Sequence, residues 1–220
     1  MEWIRNKFGL TTFQLKCIAI LSMVVDHTGA ILFPGSLLFR YIGRIAFPIF
    51  CFLLVEGFLH TRDIHRYMAR LLVFAFVSEI PYDLAFRGTF LEFGYQNVFF
   101  TLFLGVVLMY VLQKAAEWPV KAIEVLLLMW LAEVLKTDYG SQGILLIAAF
   151  FLLHDRLWMK LAAGTAWCFI WNGAVQKYGA LAMIPIALYN GERGRSMKYF
   201  FYAFYPLHLL LLYGIARWMI

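Results

Sequence analysis

The chain has 220 residues, 63% of them hydrophobic, 19% aromatic and only 15% charged, with a mean hydropathy of +0.76. A soluble domain carries about 25% charged residues; in water this chain would leave far too much apolar surface exposed, which argues against a soluble protein. The net charge of +6 does not indicate nucleic acid, because lysines and arginines recur in short groups between apolar segments and form no single basic stripe.

A membrane-spanning helix needs about 20 apolar residues. Nine segments approach that length: 12–33, 38–59, 67–86, 95–113, 119–135, 140–154, 157–172, 177–190 and 198–218. The middle segments are short, which predicts tilted, broken or re-entrant elements. Loops are brief, and no linker or repeat divides the chain. The expectation is one all-α domain over 1–220, a polytopic transmembrane helical bundle of about nine spans, with eight to ten admitted. The first apolar run is too long for a secretory signal and is interrupted by Asp26-His27. With the N-terminus in the cytoplasm, thirteen of the 19 Lys and Arg residues fall on that side. The other six are Arg40, Arg44, Arg87, Lys136, Lys177 and Arg217.

Ionisable groups inside a span usually face a cavity or a partner. In the first span, Lys16 and His27 are eleven residues apart. That is about three turns, so they share a face about 16 Å apart. Lys16 has a simple alternative, snorkelling to the interface. Asp26 adjoins His27, but neighbouring helix positions diverge by about 100°, so a direct bond between them is not assured.

The second span opens with Arg40 and Arg44 at i and i+4, and Pro48 frees a backbone carbonyl one turn later. The two arginines either snorkel to the outer interface, or neutralise Asp26, Glu79 or Asp83, or bind a ligand anion. Glu56 lies at the far end of this span, within reach of Arg62 or Lys16. Glu79 and Asp83 share one face of the third span, with Pro81 between them. Gln96 and Asn97 begin the fourth, either holding helices together or binding substrate. Asp138 is an outer-side turn former or a substrate ligand. In the last span, His208 is placed for a hydrogen bond across helices. His60, His65 and His154 read as surface residues.

Cys17, Cys51 and Cys168 lie in apolar runs without metal-ligand spacing, so they read as core residues and no metal is expected. The pattern as a whole gives a polar pocket around His27, displaced toward the outer side. It does not name a reaction: a proton-coupled transporter would also bury carboxylates, arginines and a histidine.

Several motifs in order resemble the TraX family. They are Leu15-Lys16-Cys17-Ile18-Ala19 leading to Asp26-His27, Arg40-Tyr41-Ile42-Gly43-Arg44-Ile45-Ala46-Phe47-Pro48, and Val55-Glu56-Gly57-Phe58. Tyr67, Arg70, Ser78-Glu79-Ile80-Pro81-Tyr82-Asp83 and Gln96-Asn97-Val98 follow. Lys198-Tyr199-Phe200-Phe201-Tyr202 and Tyr205-Pro206-Leu207-His208 close the series. Residues 105–190 match less well, apart from Asp138-Tyr139-Gly140 and Gly143.

The family's best-known role is N-terminal acetylation of a conjugative pilin, and it resembles larger membrane acyltransferases that decorate surface glycans. The resemblance implies a bacterial inner-membrane acetyltransferase with a cytoplasmic N-terminus. It implies acetyl-CoA as donor and a peptide, glycan or small amine as acceptor, in contact with membrane lipid.

On that reading His27 is the general base, Asp26 orients it or pairs with an arginine, and Arg44 or Asn97 stabilises the oxyanion. Lys16, Arg40, Arg62, Arg66, Arg70, Lys198, Tyr205 and His208 are the candidates to hold the coenzyme. Glu56, Glu79, Asp83, Gln96 and Asp138 are the candidates to hold the acceptor. The alternatives are a transporter and a pilus or secretion assembly factor without group transfer. Oligomeric state is left open.

Overall fold

The computed structural model describes residues 9–170 and 174–219, without the side chain of Lys198. Arg5 and Lys7, which entered the charge count, and the Lys198 side chain lie outside the described residues. The described chain is all-helical and contains no strand. In chain order the helices are α1 (Thr12–Ile31), α2 (Leu37–Gly43), α3 (Ala46–Leu59), α4 (Ile64–Arg87) and α5 (Val98–Lys114). They continue with α6 (Trp118–Val134), α7 (Gly140–Leu152) and α8 (Leu157–Ile170). A 3-10 turn (Gln176–Ala182), α9 (Met183–Ala187) and α10 (Lys198–Met219) complete the fold.

Helix ends follow local chemistry. Thr11 caps α1 in a reciprocal box: its hydroxyl accepts from the Gln14 amide at 3.3 Å, and the Gln14 side chain accepts from the Thr11 N–H at 2.9 Å. Asp63 caps α4 by accepting from the Arg66 amide at 2.9 Å, and Gly88, left-handed at φ 68°, ends it. The expected second span is interrupted, because α2 ends at Gly43 and α3 starts at Ala46. Pro48 has no N–H for the Arg44 carbonyl, and its ring crowds that position, so the chain turns at Arg44-Ile45. The segment expected at 177–190 is a 3-10 turn followed by a five-residue helix.

α3 is the central post. It packs on α1, α5, α7, the 3-10 turn and α9, and Phe47, Ile49, Cys51, Phe52, Leu54 and Val55 on it are almost fully buried. α10 leans on α4 and α1, while α6 stands outside, against α5 and α7. Helix ends collect at two poles. At one, Leu10 pairs with Tyr189, and the Thr12 amide donates to the Glu192 carbonyl at 2.8 Å. At the other, Gln96 pairs with Thr137, and Tyr41 stacks on Tyr178 at 4.1 Å. Among the described residues, two segments are long and apolar enough to cross a membrane, Leu37–Leu59 and Tyr199–Met219.

Candidate functional site

α1 and α2 approach closely because glycines face them. A Cβ on Gly43 would lie 2.1 Å from Asp26 Oδ1, and one on Gly29 would lie 2.2 Å from the Phe39 Cβ. This contact lets the last turn of α2 cover Asp26. Asp26 Oδ2 accepts from Arg40 Nη1 at 2.9 Å and from Arg44 Nη2 at 2.6 Å. One carboxylate thus serves two guanidiniums, so the cluster keeps one positive charge in excess. Asp26 Oδ1 and Arg44 Nε are buried without partners in the cluster.

These residues line a cavity of about 240 Å³ near the pole of Gln96 and Thr137. Its walls carry His27, Asp26, Arg40, Arg44, Asp138 and Tyr205, together with Tyr82, Phe86, Tyr95 and Tyr139. The volume suits a few-atom group or the end of a chain and falls below that of a site for a drug-sized molecule.

The His27 ring is set by its neighbours. Its Nδ1 lies 2.7 Å from His208 Nε2, and His208 Nδ1 lies 2.9 Å from the Phe204 carbonyl oxygen. The two imidazole planes are within 8° of parallel. Phe86 meets the His27 ring edge-on at 5.3 Å, and Phe204 stacks on His208 at 5.2 Å.

Across the cavity, Asp138 Oδ1 accepts from the Tyr95 hydroxyl at 3.3 Å. Burial pushes its pKa up to about 6, against the lowering influence of Arg44 and of the Tyr95 bond. The segment is pinned there: the Asp138 amide donates to the Gln96 carbonyl at 2.9 Å, and the Thr101 hydroxyl donates to the Asp138 carbonyl. Tyr139 adopts φ 64°, an unfavourable region for a bulky residue. Its ring stacks on Phe47 while lining the cavity.

The other expected site residues are elsewhere. Asn97 is fully buried as the N-cap of α5. Its Nδ2 donates to the Ala75 carbonyl at 2.8 Å and to Glu79 Oε2, while its Oδ1 accepts from the Phe99 amide at 3.0 Å. Those bonds occupy the amide, and Asn97 does not line the cavity. Asp83 is fully buried and accepts from the Glu92 amide at 2.8 Å. Among the described residues, the ion pairs of Arg40 and Arg44 go to Asp26, not to Glu79 or Asp83. Gln96 donates through Nε2 to the Phe93 carbonyl at 3.1 Å.

Lys16, Glu56, Arg62, Arg66 and Arg70 belong to the opposite pole. Lys16 Nζ sits 5.2 Å over the Phe201 ring, and Arg70 lies 5.8 Å from the centre of the Tyr67 ring. Arg66 pairs with Asp63 at 3.0 Å, and Glu56 approaches His60 at 3.9 Å. Phe201, Tyr205 and His208 form one stripe of α10, running from Lys16 to His27.

Sequence reasoning did not single out Tyr82, Phe86, Tyr95 or Tyr139 as cavity walls. Two of them sat inside quoted motifs, Tyr82 beside Asp83 and Tyr139 beside Asp138.

Residues 12–216 match the family model described as TraX protein. The chain is 31% identical to a protein of Dichelobacter nodosus named probable fimbrial assembly protein FimC, serogroup H1, over 94% of this chain and 96% of that one. It is 25% identical to an uncharacterized protein of Rickettsia prowazekii (strain Madrid E), over 82% of this chain and 71% of that one. No solved structure matches it significantly.

Proposed function

The chain belongs to the TraX family, and from that premise we propose that it is a multi-pass membrane acetyltransferase. It carries an acetyl group from cytoplasmic acetyl-CoA to an amine at the opposite face of the membrane.

Membrane insertion is supported by an inverted distribution of polarity. Asp26, Glu79, Asp83, Asn97 and His208 are buried, while Phe76, Leu126, Trp130, Leu207, Leu211 and Trp218 are more than 60% exposed. Burying a large apolar side chain is worth about 1.5–3 kcal/mol, so lipid is the favourable surrounding for that surface. The charge count favours a cytoplasmic N-terminus, with the pole of Lys16 and Arg70 on the same side.

The observation that carries the enzymatic reading is the meeting of His27 with an arginine cluster of surplus positive charge in one cavity. Acetyl transfer needs a base and a stabiliser for an anionic oxygen. The neutral acceptor nitrogen attacks the thioester carbonyl carbon, forming the N–C bond. Negative charge gathers on the carbonyl oxygen, which Arg44 and Arg40 face. His27 takes the proton from nitrogen. Collapse breaks the C–S bond, and the thiolate leaves with that proton to become coenzyme A.

Lys16 and Arg70 hold the coenzyme's phosphates, and the pantetheine arm follows Phe201 and Tyr205 along α10. Asp138 stands ready to accept a hydrogen bond from the acceptor amine. The name of the Dichelobacter relative favours the N-terminal amine of a pilin subunit.

The test is acetyl-CoA binding and slow hydrolysis by detergent-purified protein, wild type beside His27→Ala. Binding by both with turnover by wild type alone supports the reading. A folded wild type that does not bind acetyl-CoA turns it toward pilus assembly without group transfer, or toward transport.

A further inference from the structure

We infer that His208 is a positioning residue that fixes the tautomer of His27 and so decides which imidazole nitrogen acts as the base. The inference rests on the catalytic role proposed above for His27.

A carbonyl oxygen can only accept a hydrogen bond. The 2.9 Å contact of His208 Nδ1 with the Phe204 carbonyl therefore places a proton on Nδ1. In the neutral ring Nε2 then carries the lone pair. The 2.7 Å contact of that Nε2 with His27 Nδ1 requires a proton between them, and only His27 Nδ1 can supply it. His27 Nε2 is left with its lone pair. The opposite tautomer would set two lone pairs 2.7 Å apart, so the geometry excludes it.

The arrangement has the logic of a nucleophile–base–orienter chain with a neutral third member. When His27 takes a proton at Nε2, the Nδ1–H bond to His208 persists and the ring does not need to turn. A neutral acceptor suits a site whose arginine cluster already has surplus positive charge. It holds the imidazolium through a hydrogen bond without adding a carboxylate that would compete with Asp26 for Arg40 and Arg44. Phe204 stacks on the His208 ring and Phe86 meets the His27 ring edge-on, so each imidazole has an aromatic neighbour.

The experiment has two independent arms. In the first, ¹⁵N-labelled histidine spectra of the purified full chain report which His27 nitrogen carries the proton, whatever the activity. The expected wild-type state is Nδ1–H with Nε2 bare, and this preference is lost in His208→Phe. A wild-type His27 protonated on Nε2, or a spectrum unchanged in His208→Phe, overturns the inference.

In the second arm, acetyl transfer to a peptide with a free N-terminal amine is measured for wild type, His27→Ala, His208→Phe and His208→Gln. Phe keeps the ring volume and removes the acceptor; Gln restores an acceptor near the Nε2 position. His208→Phe is expected to lose about 10²-fold in kcat, in the range set by a misplaced general base. Its KM for acetyl-CoA is expected to stay within about 3-fold of wild type, and His208→Gln is expected to recover most of the loss. Equal loss in both variants with raised KM overturns the inference and makes His208 a coenzyme contact. Full transfer by His27→Ala sinks the catalytic reading instead, and the spectra still decide the tautomer.

Discussion

Gly43 and Asp26 are in direct contact: a Cβ added at Gly43 would lie 2.1 Å from Asp26 Oδ1 and 2.2 Å from the Asp26 Cβ. The second atom is next to the backbone, so the clash has no flexible end to absorb it. The missing side chain lets α2 sit on α1 and brings Arg40 and Arg44 within hydrogen-bonding reach of one carboxylate.

Gly43→Ala is therefore expected to destabilise the protein by about 1–3 kcal/mol, the usual cost of overpacking, and to impair the arginine cluster. Thermal unfolding in detergent measures the first effect, and acetyl-CoA hydrolysis measures the second. An alanine variant that melts with wild type would show that α1 and α2 separate easily.

Asp26→Ala leaves two guanidiniums without their shared anion. Removing one member of a buried ion pair costs about 3–5 kcal/mol. Asp26 and Arg44 side chains are 10% and 16% exposed, but Arg40 is 33% exposed, so the lower end is expected. Asp26→Asn keeps an acceptor oxygen and should lose less. Chemical denaturation of the two variants beside wild type ranks them.

Arg44→Gln removes a charge facing the cavity. If Arg44 stabilises the oxyanion, turnover falls about 10²-fold or more, with a smaller change in KM for acetyl-CoA. A raised KM with unchanged kcat would instead assign Arg44 to coenzyme binding.

Asn97→Ala separates architecture from chemistry. It removes the α5 cap and strands Glu79, costing about 2 kcal/mol or more. Its amide is already committed to Ala75 and Glu79, so the folded fraction should keep wild-type turnover. Activity normalised to the folded fraction gives the answer; a large loss on that scale would restore Asn97 as an oxyanion donor.

Asp138 predicts a pH dependence. Its folded pKa of about 6 lies above the ordinary 3.8, so the folded state holds the proton more tightly than the unfolded chain. The associated stability is fully present below about pH 4 and is lost as pH rises through about 6. Two units correspond to about 3 kcal/mol at most. Asp138→Asn still accepts from Tyr95 and has no charge to bury. Its melting temperature relative to wild type should rise between about pH 4 and 7; a constant difference would mean that Asp138 is well solvated in the fold.

Apolar runs and caps are local, so the sequence by itself determined the all-helical architecture and most helix limits. Thr11, Asp63 and Pro48 act within a turn of their own positions, which is why the starts of α1 and α4 and the break between α2 and α3 follow from residues close by. Periodicity also put Arg40 with Arg44, and Lys16 with His27, on common faces, and the run of motifs carried the family. It left open which carboxylate would meet the arginines and what Asn97 would hold.

Only the tertiary structure decided those partners, because they depend on which helices touch. Asp26 took both arginines since Gly43 allows α1 and α2 to close, while Glu79 went to Asn97 across α4 and α5. His27 and His208 are separated by 181 positions. Their pairing is set by α10 settling between α1 and α4, a matter of side-chain packing among apolar faces that no local pattern encodes. The tyrosine walls have the same origin: Tyr95 and Tyr139 reach the cavity because backbone bonds join two loops, at Gln96 and Asp138.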